Sequence, residues 1–143
     1  MTQQLQINPE HDAKALGRIL QQEGRLQVTD FFTPETAEYL HKIHTENKDW
    51  YLAYNDGDNY FESSVEQLQA LTPQQRQQFM NAIYARARTQ FQYVFFQYYI
   101  SQAIELKEQV GHPLHQVHDL VNGEEFLGLM RTLTGEMAVA KAD

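Results

Sequence analysis

Three histidines, His112, His115 and His118, stand three residues apart. At about 100° per residue, a helix fans them over about 120°. A metal site needs converging ring nitrogens and a carboxylate or other further ligand. Asp119 is adjacent, but a helix turns it about 100° away from His118. The spacing predicts an exposed helix face, with Val117 and Leu120 on the buried one. A histidine-rich metal carrier stays open as another reading. His44-Thr45-Glu46 has the form of the His-x-acid half of a facial iron triad. It falls at a helix end and has no distant histidine in a matching context. Asp56 and Asp58 flank Gly57 in Asn-Asp-Gly-Asp-Asn. The glycine and distal glutamate of a calcium loop are missing at their offsets, so this stretch predicts a turn. Ser63, Ser64 and Ser101 have no His and Asp setting. Glu62, Glu66, Glu105 and Glu108 lack the apolar surroundings that tune a general acid. There is no phosphate-cradling glycine loop. With no cysteine in the chain, disulfides, thiolate metal sites and thiol nucleophiles are excluded.

The elements that would position any site centre on Phe91–Ile100, FQYVFFQYYI. It holds six of the chain's seventeen aromatic residues and no charge, Gly or Pro. Its composition, with no clean helical stripe, predicts a strand buried on both faces. One reading makes it a plain core strand. The other has Tyr93, Phe95, Tyr98 and Tyr99 lining a pocket, with phenol groups reaching into it. Exposed, such a run is an aggregation hazard, so the remainder must cover it.

The 143 residues predict one α+β domain over residues 11–143, behind a flexible lead-in over residues 1–10. A net charge of −8 argues against nucleic acid and against anionic membranes. The N-terminus lacks the basic start and apolar core of a signal peptide, which predicts a cytoplasmic protein. Helices are expected at His11–Glu23, from Thr33-Pro34 to Glu46, and from the Thr72–Gln75 capping box to Gln90. Two more are expected at His115–Val121 and from an Asn122–Glu125 capping box to Gly135. The apolar stripes predict Ala13, Leu16, Ile19 and Leu20 inward on the first. Ala37, Leu40, Ile43 and His44 share a side on the second. Phe79, Met80, Ile83, Tyr84 and Ala87 face inward on the third. Strands are expected at Arg25–Phe32, at Trp50–Tyr54 paired with Tyr60–Ser63, and at Met137–Ala142. The last leaves an open edge that predicts homo-oligomerisation.

In order, the segments are ALGRILQQEGRLQVTDFFTPETAEYLHKIH, DWYLAYND, the Arg86–Ile100 aromatic stretch, and HPLHQVHDLVNGEEFLGLMRTLTGEMAVAKAD. This series resembles the N-terminal half of prolyl-hydroxylase-like Fe(II)/2-oxoglutarate-dependent oxygenases. The resemblance spans residues 11–143. It implies helices on one side of a mostly antiparallel sheet, an incomplete double-stranded β-helix (jelly roll). It also implies a dioxygenase that uses iron and 2-oxoglutarate on a small-molecule or protein substrate. The family's His-x-Asp ligands, distal histidine and 2-oxoglutarate-binding arginine have no counterpart in these residues. This chain alone is therefore expected to carry no catalytic, metal or cofactor ligand, and a truncated product of a longer enzyme is expected. The full fold needs about eight strands, more than the candidates found here. The alternative is a non-catalytic α+β small-molecule-binding or protein-interaction module.

Overall fold

A computed structural model describes residues 4–142 and shows an α+β chain with a small antiparallel sheet. In order, the elements are α1 (Ala13–Glu23), α2 (Pro34–Glu46), β1 (Tyr51–Asp56), β2 (Asn59–Ser64), α3 (Val65–Ala70), α4 (Pro73–Arg86), β3 (Val94–Gln97), α5 (Ile100–Glu105), α6 (His115–Val121) and α7 (Glu124–Thr134). The chain divides into two compact units. One combines Met1–Glu46 with Ile100–Asp143; the other is Asn47–Tyr99. None of the helices is long and apolar enough to cross a membrane, among the described residues.

In the first unit, α1 starts where the Asp12 carboxylate accepts the N–H groups of Lys14 and Ala15, both at 3.0 Å. It stops at Gly24, whose φ of 68° ends the helix in the left-handed region. Gly17 is buried against α7, and a Cβ there would lie 3.1 Å from the Thr132 carbonyl oxygen. The close approach of the two helices therefore depends on the missing side chain. Ile19, expected in the buried stripe, is 45% exposed. On α2 the buried residues are Thr36 and Ile43, while Ala37 and His44 are exposed. The Thr36 hydroxyl accepts the Gln6 N–H at 3.0 Å and the Thr33 hydroxyl at 3.1 Å. A polar side chain thus fixes the chain entry where an apolar stripe was expected.

Arg25–Phe32 is not a strand. Only Phe32 makes a bridge, to Ile7, and Asp30 has a φ of 50°, which interrupts extended backbone. Ile7 itself is buried, inside the stretch expected to be a loose lead-in. Met137–Ala142 is not a strand either. The Arg131 Nε donates to the Val139 carbonyl at 2.8 Å, and the Ala142 N–H donates to Asn122 Oδ1 at 3.0 Å. Side chains satisfy backbone groups that a sheet would otherwise take. That same bond explains why the expected Asn122 capping box is absent. Asn122 closes α6, its amide oxygen is engaged, and Gly123 becomes the N-cap of α7 without a side-chain bond.

In the second unit, the Asp56-Gly57 turn joins β1 and β2 in register from Tyr51 opposite Ser64 to Asp56 opposite Asn59. β3 pairs antiparallel on the other side of β1, giving the order β2-β1-β3. Ser64-Val65-Glu66-Gln67 forms a capping box for α3, and Thr72 forms another with Gln75 for α4. The first was passed over in the sequence although its residues spell the motif. Ile83 of α4 is fully buried, a burial that contributes about 2 kcal/mol. Tyr84, expected inward, is 57% exposed.

Candidate functional site

The aromatic run is extended over only four residues, and β3 is an edge strand. The expectation of burial on both faces is overturned: Phe95 is 49% and Phe96 57% exposed. A central strand has neighbours on two sides and layers above and below; among the described residues β3 has one neighbour. Residues opposite one another across an antiparallel ladder share a face. One face carries Leu52, Tyr54, Phe61 and Val94, and α4 backs it. The Tyr54 ring meets Phe79 edge-on at 5.1 Å and stacks with Phe61 at 5.5 Å.

The other face is the candidate site. The register places Tyr51, Ala53 and Asn55 on it from β1, Tyr60 and Glu62 from β2, and Phe95 and Gln97 from β3. Tyr93 continues this row just before β3. Its ring lies 5.7 Å from Phe95, 6.0 Å from Phe91 and 6.5 Å from Tyr60, centroid to centroid. Ala53 is fully buried at the centre. Its small side chain leaves room for Glu62 and Gln97 to meet from the two outer strands. Gln97 Nε2 donates to Glu62 Oε1 at 2.7 Å and to the Tyr60 hydroxyl oxygen at 2.6 Å. The Tyr60 hydroxyl in turn donates to the same Glu62 oxygen. Its pKa is pushed up to about 12, first by desolvation and then by the hydrogen bond to Glu62 and its charge. At neutral pH this phenol therefore stays protonated and keeps donating.

Asn55 holds the start of the aromatic strand to β1. Only 4% exposed, its amide nitrogen donates to the carbonyls of Gly57 at 3.1 Å and Phe91 at 3.0 Å. Its amide oxygen accepts the Tyr93 N–H at 2.8 Å and Gln92 Nε2 at 2.9 Å. Arg86 Nε reaches Gln92 Oε1 at 3.1 Å and lies 3.6 Å from the Asp56 carboxylate. Asp56 thus faces an arginine.

Of the four residues singled out in the run, Tyr93 and Phe95 come together on this face. Tyr98 and Tyr99 lie beyond the end of β3 and outside its ladder. Tyr60, Gln97 and Asn55 escaped the sequence reading, and Glu62 was set aside there for want of apolar surroundings. The i, i+2 spacing of Tyr60 and Glu62 on a strand was the available clue.

The histidine series does not converge. His112 precedes α6 and its Nδ1 accepts the Leu114 N–H at 3.1 Å. Its ring centroid is 5.6 Å from that of His115, and His118 Nδ1 is 3.8 Å from the Asp119 carboxylate. These histidines are half-buried, and so are Val117 and Leu120, so the expected split into an exposed and a buried face is absent. His115 has a lowered pKa, first from desolvation and then from the charge of His112. His44 and Glu46 sit on α2, where two residues of helix turn them about 200° apart. Among the described residues, no group of three or more His, Cys, Asp or Glu could hold a metal ion. The donor groups described here do not fit the iron that the resemblance implies. The sheet face sets stacking rings beside a phenol–carboxylate–amide triad. Comparison with protein-family models, curated proteins and solved structures finds no match at any of the three levels.

Proposed function

We propose that this chain is the N-terminal supporting part of a prolyl-hydroxylase-like Fe(II)/2-oxoglutarate-dependent dioxygenase, with an incomplete jelly roll and a cytoplasmic setting. In this reading the iron and 2-oxoglutarate ligands come from residues outside these 143. The order of elements supports it: α1, the Pro-started α2, the β1–β2 hairpin, α3 and α4, the aromatic β3, and α5 ahead of the α6–α7 pair that ends in Leu-Thr-Gly. The observation that carries it is the open aromatic face, where Tyr60 is 52% and Phe95 49% exposed and no strand among the described residues covers them. In this role α4 backs the sheet, Asn55 fixes the aromatic strand, and the open face borders the substrate entrance.

The test is to produce the chain together with whatever its gene encodes next. Iron and 2-oxoglutarate binding by calorimetry, and 2-oxoglutarate consumption, are then compared with the 143-residue chain. Both activities in the longer product and neither in the shorter one are expected. Tight binding of both ligands to the shorter chain, or of neither to the longer, overturns the reading. A second reading, a non-catalytic recognition module, is favoured by the exposure of Tyr60 at 52%. It predicts ligand-dependent quenching of tyrosine fluorescence by the 143-residue chain with no turnover.

A further inference from the structure

The sheet ends on two unlike edges. The β2 edge carries Glu62, and the turn before it carries Asp56 and Asp58. Charges of this kind on an edge keep a second strand away. The β3 edge has no such protection. No strand among the described residues pairs with its outer side. Between Arg88 and Glu105 there is no charged residue, and Phe91–Tyr99 contains no Pro or Gly. Phe95 and Phe96 are half exposed there.

We propose that β3 is a self-association edge, on which the β3 of a second copy of this chain pairs antiparallel and joins the two three-stranded sheets into one. Charge selects the occupant. A chain of net charge −8 repels its own copy over most of its surface. This neutral stretch is where like chains meet without that repulsion. An antiparallel pair has its two-fold axis perpendicular to the sheet, so each face runs on into the same face of the copy. Phe95 then meets its own counterpart, or Phe96 does. Aromatic cross-strand pairs of this kind are favourable. The inference rests on the strand edge and its lack of charge, and not on the oxygenase reading.

The test is light scattering during size-exclusion chromatography of the 143-residue chain across a concentration series. The expected mass rises from 16.7 kDa towards twice that value. Phe96→Lys places two like-charged side chains on one face with their Cβ atoms within about 8 Å across the pair in either register. It is expected to hold the protein monomeric at every concentration. Mixing Phe96→Lys with Phe96→Glu is expected to restore a one-to-one dimer. Val110→Lys, at a position 84% exposed in the other unit, is expected to dimerise as the native chain does. If the Phe96 variants lose their circular dichroism, the Phe95→Lys and Phe95→Glu pair provides the same readings. A native chain that is monomeric throughout overturns the proposal. So does a folded Phe96→Lys or Phe95→Lys variant that still dimerises, a folded charge pair that fails to recombine, or loss of the dimer in Val110→Lys.

Discussion

Replacing Asn55 with alanine removes four hydrogen bonds at once, and their geometry sets the expected cost. The amide accepts from the Tyr93 N–H at 2.8 Å and Gln92 Nε2 at 2.9 Å, and donates to Gly57 and Phe91 at 3.1 and 3.0 Å. A hydrogen bond contributes about 1 kcal/mol net, and a buried group left without a partner costs about 1–3 kcal/mol. Gly57 is exposed and Gln92 is a side chain that can turn to water. Phe91 is 79% exposed, so its carbonyl also reaches water, whereas the N–H of the half-buried Tyr93 recovers less. The loss is therefore about 2–4 kcal/mol, a large share of a stability of about 5–15 kcal/mol. Asn55→Asp preserves the acceptor but aims an acceptor-only oxygen at two carbonyls. It should cost about as much near neutral pH, and less at acidic pH, where a protonated carboxyl donates again. Urea titrations followed by circular dichroism measure both variants, with an unchanged slope as the check on cooperativity. A loss below about 1 kcal/mol for Asn55→Ala would refute the reasoning, because water would then be replacing the amide.

Tyr60 should titrate near pH 12 by ultraviolet absorbance, and Glu62→Gln should bring it back towards the usual tyrosine range. The sign for stability follows. The folded phenol holds its proton more tightly than the unfolded one, so this contribution is whole below pH 10 and is lost as pH rises through about 12. Gly17→Val should lower stability by about 1–3 kcal/mol, because the added carbons meet the Thr132 and Leu133 carbonyl oxygens at 3.1 and 3.3 Å or less. Denaturant midpoints measure it. Thr36→Val takes the partner from the Gln6 N–H and should cost about 1–3 kcal/mol. Amide exchange at Gln6 should rise in that variant.

The helix boundaries were the most legible part of this chain. Gly24 after α1, Thr72-Pro73 before α4, and Gly135 after α7 all act where their types suggest, whereas Asp12, expected inside α1, is its N-cap. Caps and turns are local chemistry: a side chain bonds a backbone group two or three residues away, and no distant segment is consulted. The Asp56-Gly57 hairpin was legible for the same reason. Of the strands expected outside it, only the aromatic one formed, over Val94–Gln97. Arg25–Phe32 alternates like a strand but finds only Ile7, and Met137–Ala142 gives its backbone bonds to Arg131 and Asn122. Strand pairing depends on a partner that the alternation does not name. The candidate site shows the same division. Tyr93 and Phe95 stood out by composition, whereas Glu62 and Gln97 meet only because the register puts Glu62 opposite Ala53 and Gln97 opposite the neighbouring Tyr51 on the same face.

The amino-acid order alone thus determined several helix ends, where the hairpin turns, and that no thiol chemistry is available. Tertiary structure decided which strands exist, that the aromatic run lies at an edge and not in a core, and which polar groups share a face. The physical reason is range: a cap or a turn closes within one turn of backbone, while a sheet edge and a buried amide acquire their meaning from residues tens of positions away.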